Sequence, residues 1–255
     1  MELQEPVALM RREKLKRPKP RGERTDAEHW GGPVRKHVTC KWALLYAFDL
    51  WMARKHPDLP WCRYADDGLV HCRNEQEAQA LKSELQARLA ECRLEMHPTK
   101  TKIAYCKDKK RKGTYPNVKF DFLGYCFRPR LVKRLRDNTL FCGFNPAVSS
   151  SAMKAMRSAI RELKLNHQTQ LSLQDIARQL NPLLRGWIGY YGRYASSALY
   201  PLLRHINQML VAWVMRKFKR FKGHKVRASQ FLQRLAKEQR ALFVHWDIGM
   251  TGVFN

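Results

Sequence analysis

The stretch WCRYADDGLVHC, from Trp61 to Cys72, decides how the fold of this chain is interpreted. Two short runs of apolar and β-favouring residues flank Asp66, Asp67 and Gly68. Because glycine tolerates the positive φ of a tight turn, Asp-Gly between two such runs predicts a β-hairpin. Neighbouring carboxylates at its tip repel each other, and hard cations such as Mg²⁺ relieve that repulsion. Taken alone, the stretch still favours a plain solvated turn, since Asp and Gly are common turn residues.

An amphipathic helix is predicted directly after the hairpin. Asn74 and Glu77 have the spacing of a capping box, which marks a helix N-terminus. Apolar residues then recur at helical intervals and predict a buried stripe. The stripe consists of Ala78, Leu81, Leu85 and Leu89.

Short strands follow this helix. The sequence predicts strands over residues 99–106 and 118–127, and a second hairpin over residues 131–144. Lys100 and Lys102 are two residues apart, so on a strand they would share one face. Such a pair suits phosphate contact and a solvated face about equally.

The apolar period becomes helical from residue 149 onward. Four helices are predicted, over residues 149–165, 172–194, 202–214 and 229–242. Pro182 lies inside the second of them, where a proline kinks or divides a helix.

Four motifs, in this order, resemble the group II intron-encoded reverse transcriptase/maturase family. They are Tyr-Ala-Asp-Asp at residues 64–67, His-Pro-x-Lys-Thr-Lys at 97–102, Phe-Leu-Gly-Tyr at 122–125 and Leu-Asn-Pro-Leu-Leu-Arg-Gly-Trp at 180–187. The resemblance extends from about Tyr46 to the C-terminus. It implies an α+β fold, in which a partial palm of short antiparallel sheet and helix precedes an α-helical thumb and maturase bundle.

Three segments are expected on this basis. Residues 1–42 are basic and proline-bearing, do not resemble the family, and are predicted to be disordered. Residues 43–148 are expected to form the partial palm, and residues 149–255 the helical thumb and maturase-specific domain. The family places its fingers and first palm strands before Tyr46. We therefore expect a truncated or shifted reading frame, with a foreign start joined near residue 43.

The resemblance also implies a chemistry. Reverse transcriptases use two Mg²⁺ ions for nucleotidyl transfer. By resemblance, Asp66 is the principal metal ligand and Asp67 the assisting one, while Tyr64, Lys100 and Lys102 contact primer and template.

The expected site is incomplete. The family's third Asp lies on an earlier palm strand and has no counterpart here, since Asp26, Asp49 and Asp58 lie in the wrong context. The nucleotide-binding Arg and Lys of the fingers are missing as well. The chain alone is therefore expected not to polymerise, unless a complementing N-terminal fragment acts in trans.

Composition points to a polyanionic partner. The chain carries 49 Lys and Arg residues against 22 Asp and Glu, a formal net charge of +27. So basic a protein is expected to bind nucleic acid. A ribosome-type basic protein and an anionic membrane surface are the alternatives, and the second is weaker because the charge is spread along the chain.

Two basic stretches are the candidate RNA contacts. In RGWIGYYGRY, arginines that hold phosphates alternate with aromatic rings that stack on bases, while RKFKRFKGHKVR is a dense run of cations. Trp187, Ile188 and Tyr191 fall on the apolar helix face and are predicted to be core. The candidates are Arg185, Tyr190, Arg193, Tyr194, Arg216, Lys217, Lys219, Arg220, Lys222, Lys225 and Arg227.

Three functional interpretations stay open. The first is a reverse transcriptase fragment that needs a missing half, with RNA and a DNA primer or target as partners. The second is a maturase-like protein that helps a group II intron RNA to fold. The third is a general basic RNA-binding or structural protein, or a non-functional remnant of a mobile element. The odd count of seven cysteines, without Cys-x-x-Cys, and the lack of a signal peptide or membrane-length apolar run indicate a reducing bacterial or organellar interior.

Overall fold

A computed structural model gives the fold of the chain and describes residues 7–10, 43–109, 111, 113–134, 136–252 and 254. The described residues pack into two compact units. The first unit takes its residues from Met1–Phe120 and Arg128–Phe144, and the second from Asp121–Phe127 and Asn145–Asn255.

The first unit is built on a four-stranded antiparallel sheet. Its strands are β1 (Val7–Met10), β2 (Trp61–Tyr64), β3 (Asp67–His71) and β4 (Lys102–Ala104). The spatial order is β2-β3-β1-β4, so β1 and β3 are the inner strands and β2 and β4 are the edge strands. This order arises when two strand–helix–strand crossovers interlock, as in the split βαβ motif.

Two helical segments provide these crossovers. A π-helical turn at Leu45–Asp49 continues into α1 (Leu50–Lys55), and α2 (Glu75–Glu91) follows β3. Asn74 caps α2 by accepting a hydrogen bond of 2.8 Å from the Glu77 amide, as the capping-box spacing predicts. The Glu77 carboxylate, however, accepts from the amide of Arg73, one residue before the cap.

The predicted apolar stripe of α2 is confirmed. Its four members, Ala78, Leu81, Leu85 and Leu89, are all buried. The first three pack in a cluster with Phe48 and Met52 of the preceding helical segment and with Val70 of β3. A helix packed on a strand by its apolar face is the local unit of an α+β layer.

The N-terminal strand differs from the sequence-based prediction. Residues 7–10 pair along both edges, with Met10 opposite Gly68 of β3 and Leu9 opposite Lys102 of β4. A short continuous apolar run such as VALM is typical of an inner strand, and composition averaged over residues 1–42 hides it. The remainder of the segment predicted to be disordered lies outside the described residues.

A second sheet has the strand order β5-β6-β7. Its strands are β5 (Phe120–Phe122), β6 (Tyr125–Lys133) and β7 (Leu140–Val148). The prediction of one strand over residues 118–127 was wrong, because Leu123 and Gly124 turn the chain with φ of 50° and 77°. A Cβ at Gly124 would also lie 2.6 Å from the Tyr191 hydroxyl oxygen, so glycine is required there for space as well as for conformation.

The predicted helical region is confirmed. It contains α3 (Ser150–Glu162), α4 (Leu173–Ala195), α5 (Tyr200–Lys217), α6 (Lys225–Glu238) and the short α7 (Val244–Asp247). Within the part of the chain that the structure describes, none of the helices is both long enough and apolar enough to cross a bilayer.

Two details of these helices depart from the sequence patterns. Pro182 does not divide α4, because the flanking Leu180 and Leu184 are fully buried and their packing holds the helix together. The fourth long helix begins at Lys225, four residues before Ser229. Ser229 is not its cap, since the Ser229 hydroxyl is buried and donates to the Phe254 carbonyl at 3.2 Å.

A buried polar network joins α5 to the C-terminal segment. The Asn207 Oδ1 atom accepts from His245 Nε2 at 2.8 Å and from Trp246 Nε1 at 3.0 Å, and Asn207 Nδ2 donates to the Met250 carbonyl at 3.0 Å. Because the carbonyl of Met250 fixes the orientation of the amide, Nε2 of His245 must carry the proton. Burial in this network lowers the pKa of His245 to about 3.

This lowered pKa makes stability depend on pH. The unfolded chain binds a proton near pH 6.5 and the folded chain only near pH 3, so stability is full above pH 6.5 and falls as the pH drops towards 3. We expect a loss of about 1.4 kcal/mol per pH unit in that window, measured by urea unfolding. His71 and His205 also have lowered pKa values, so the His245→Gln variant serves as the reference. Equal slopes in both proteins would contradict the assignment.

Candidate nucleic-acid interface

The hairpin of β2 and β3 is confirmed, but its turn lies earlier than expected. Arg63 pairs with Gly68 and Tyr64 with Asp67, which leaves Ala65 and Asp66 as a two-residue turn. The positive φ, 53°, falls on Ala65, whereas Gly68 lies within β3. The Asp-Gly step therefore predicted the hairpin correctly, but Gly68 does not supply the positive φ of the turn as expected.

An arginine holds this turn in place. Arg63 donates from Nε and a terminal nitrogen to the two carboxylate oxygens of Asp49, at 2.6 and 2.5 Å, and from its other terminal nitrogen to the Ala65 carbonyl at 2.5 Å. Both side chains of the pair are mostly buried, with 15% and 17% of their surface exposed. Such bidentate, charge-assisted bonds are strong and directional. Sequence reasoning missed this pair, because nothing local relates residues 49 and 63.

The predicted primer and template contacts are dispersed. Tyr64 is 65% exposed beside the turn. Lys102 is exposed on β4, which β1 separates from the carboxylate-bearing β3. Lys100 does not share its strand face as predicted, because residues 97–100 form a turn in which His97 Nδ1 accepts from the Lys100 amide at 3.3 Å.

The aromatic candidates of α4 are partly engaged within the second unit. Tyr190 is 47% exposed, yet its hydroxyl donates to the Leu123 carbonyl at 2.9 Å and its own carbonyl accepts from the Tyr125 hydroxyl. Tyr190 therefore anchors the Leu123–Gly124 turn as well as presenting a ring. Tyr194 is freer, with 61% of its surface exposed and the Arg193 guanidinium 5.9 Å from its ring centre.

Arg185 lies on the exposed side of α4. The predicted core residues Trp187, Ile188 and Tyr191 are half-buried and pack against the helical core. The exposed and apolar faces of this helix are therefore separated as its sequence period requires.

The run from Arg216 to Arg227 divides into anchored and available cations. Lys217 donates to the carbonyls of Thr169 and Leu171, at 3.0 and 2.5 Å, so its ammonium serves the fold. Arg216 donates to the Asn166 carbonyl at 3.1 Å but is otherwise exposed. The cations exposed on the surface are Lys219, Arg220, Lys222, Lys225 and Arg227.

Comparisons with known families agree with this geometry. Residues 38–127 match the model for reverse transcriptase (RNA-dependent DNA polymerase), and residues 153–231 match the model for the group II intron maturase-specific domain. The two matches together support a partial group II intron reverse transcriptase/maturase. No curated protein sequence matches it.

The two matches correspond to the two kinds of structure in this chain, the sheet-and-helix part and the helical part. The reverse transcriptase match contains the β2–β3 hairpin, α2 and the Phe-Leu-Gly-Tyr turn, and the maturase match runs from α3 into α6. The reverse transcriptase match starts eight residues before Tyr46, where the motif resemblance begins. The expected fold class, a partial palm followed by a helical bundle, is confirmed.

The residues present fit only part of a two-metal polymerase site. Asp66 is exposed in the turn and Asp67 is half-buried at the start of β3, so both offer carboxylate oxygens of the kind Mg²⁺ prefers. The inner strand β1 (Val7–Met10), which pairs with β3 from Gly68 to His71, carries no carboxylate. Among the described residues there is no group of three His, Cys, Asp or Glu side chains able to hold a metal ion.

The arginine clamp can be tested locally. Replacing Arg63 by Gln removes the bonds to Asp49 and to the Ala65 carbonyl, so amides of the hairpin should exchange with solvent about tenfold faster or more. Hydrogen exchange followed by mass spectrometry on the peptide covering residues 61–71 measures this. Arg54→Gln, at an exposed position of α1, is the matched control and should leave the exchange unchanged. Equal exchange in the two variants would contradict the clamp.

Proposed function

We propose that this chain binds group II intron RNA through its helical unit and does not synthesise DNA by itself. The observation that carries the proposal is the contrast between the two parts of the site. Exposed cations gather on the helical unit, while the carboxylate pair of the hairpin has an apolar strand as its neighbour.

The helical surface has the chemistry that structured RNA requires. Exposed cations on α4, on the turn before α6 and at the start of α6 are placed to neutralise phosphates, which releases counterions and makes binding salt-dependent. Tyr194 adds an exposed ring on which an unpaired base can stack. The cations concerned are Arg185, Arg193, Lys219, Lys222, Lys225 and Arg227.

The hairpin supports the negative half of the proposal. Polymerases of this family hold their metals with the Tyr-x-Asp-Asp carboxylates and an Asp on another palm strand. In this chain β1, which pairs with β3 from Gly68 to His71, reads VALM and supplies no third oxygen ligand. The clamped geometry of the turn favours one alternative, in which a fragment carrying fingers and early palm completes the site in trans.

RNA binding is tested by affinity and by its dependence on salt. The chain should bind a group II intron transcript more tightly than a random transcript of equal length. Arg193→Gln should weaken binding and reduce the slope of log K against log salt by about one, because one phosphate contact is lost. Arg54→Gln, an exposed helical arginine of the first unit, should change neither. Equal affinity for both transcripts would favour a general basic RNA-binding protein instead.

Polymerisation is tested by primer extension. With Mg²⁺, a primed RNA template and all four deoxynucleotides, the chain alone should give no product above background, because two carboxylates do not complete a two-metal site. Incorporation that disappears in Asp66→Ala would refute this half of the proposal. Product formed only when a fragment with fingers and early palm is added would establish the enzyme in trans.

A further inference from the structure

A groove runs along the exposed face of α6. Its volume is about 600 Å³. The groove is lined by Phe221, Arg227, Gln230, Gln233, Arg234 and Lys237. Most of the lining residues come after Arg227 in sequence, where the dense basic run ends. Three of them, Gln233, Arg234 and Lys237, also lie beyond the maturase match, which ends at residue 231. Sequence reasoning missed the groove because its three cations, Arg227, Arg234 and Lys237, are seven and three residues apart and do not form a continuous basic run.

Helical spacing brings these side chains together. Residues 227, 230, 234 and 237 are separated by three, four and three positions, which places them in one row along a helix. At a rise of about 1.5 Å per residue, Arg227 and Arg234 are about 10 Å apart along the axis. The row therefore presents Arg227 at its start and Arg234 and Lys237 towards its end, with the amide of Gln230 after Arg227 and Gln233 next to the row.

The charge of the lining is of one sign. Its three ionisable side chains are all cations, its two other polar side chains are amides, and Phe221 contributes an apolar floor. Beside the groove, the Arg220 guanidinium lies 4.6 Å from the ring centre of Phe221 and 5.4 Å from that of Phe231. Stacking on these rings orients the guanidinium and limits the conformational freedom that a ligand would otherwise have to restrict.

We propose that this groove binds an unpaired stretch of RNA. Arg227, Arg234 and Lys237 contact its phosphates, while Gln230 and Gln233 hydrogen-bond base edges or 2′-hydroxyl groups. Cations alone would suit any polyanion, but amides can pair with the exposed edges of unpaired bases, which a duplex conceals. The inference rests on the proposed function and extends it by naming the part of the RNA that the helical unit recognises.

The experiment separates charge from recognition. Binding is measured at several salt concentrations for a single-stranded RNA, a fully paired RNA of equal length, a group II intron transcript and a random transcript. Arg234→Gln and Lys237→Gln should each weaken binding of the single-stranded RNA and lower its salt slope by about one. The double variant Gln230→Ala/Gln233→Ala should keep the slope but lose at least about fivefold of the preference for single-stranded over paired RNA.

Lys154→Gln is the matched control. Lys154 is exposed on α3 and lies outside the groove, so its replacement removes one cation from the same unit and should leave all four affinities unchanged. All the replaced groove side chains except the half-buried Gln233 are exposed. Far-UV circular dichroism and the melting temperature check that each variant folds.

The outcomes distinguish this inference from the proposed function. If groove variants weaken RNA binding while the wild-type chain does not prefer the intron transcript, the groove stands and the intron assignment fails. If the wild-type chain prefers the intron transcript and the groove variants bind as the Lys154→Gln control does, the groove inference is overturned. Absence of all RNA binding overturns both. Binding to anionic phospholipid vesicles that is lost in the groove variants while RNA binding is retained overturns the groove inference alone.

Discussion

Repulsion between like charges is the constraint on which the structure of this chain depends. A net charge of +27 opposes any compact state, so each cation must be solvated, paired or bound to an acceptor. Lys217 is bound to two carbonyls and Arg63 to Asp49, and each of these bonds joins segments that are distant in sequence. The cations that the fold does not use remain on the surface, and a polyanion is the partner that relieves them.

The two units differ in how the fold uses their cations. In the first unit, Arg63 is mostly buried and its charge fixes a turn, while other cations such as Arg54 and Lys102 are exposed. In the helical unit, an apolar core with its buried Asn207 network supports the fold, which frees the outer faces of α4 and α6 to carry charge. The proposed intron RNA is therefore expected to bind the outer faces of α4 and α6, where the cations are not needed for packing.

The sequence revealed periodic features well and distant pairings poorly. The stripe of α2, its cap at Asn74 and the helical region could all be predicted, because each depends on residues within a few positions of one another. The turn at Leu123 and the clamp of Arg63 on Asp49 could not, since each is decided by a partner far along the chain. The apolar run at Val7–Met10 was hidden because composition was averaged over residues 1–42. Similarly, Lys217 and Lys222 belong to one basic run, and only tertiary structure separates the anchored cation from the exposed one.

Binding and catalysis differ in how much structure they require. A phosphate is held by a cation at a suitable place, and several such contacts add up even when each is imperfect. A two-metal site works only when its carboxylates converge on the same ions. The loss of one ligand therefore reduces catalysis far more than the loss of one phosphate contact reduces RNA affinity. The hairpin of this chain keeps two carboxylates on a well-held turn beside an apolar strand. The helical surface, by contrast, already has cations, amides and rings in place. RNA binding is accordingly the family property that we propose for this chain alone.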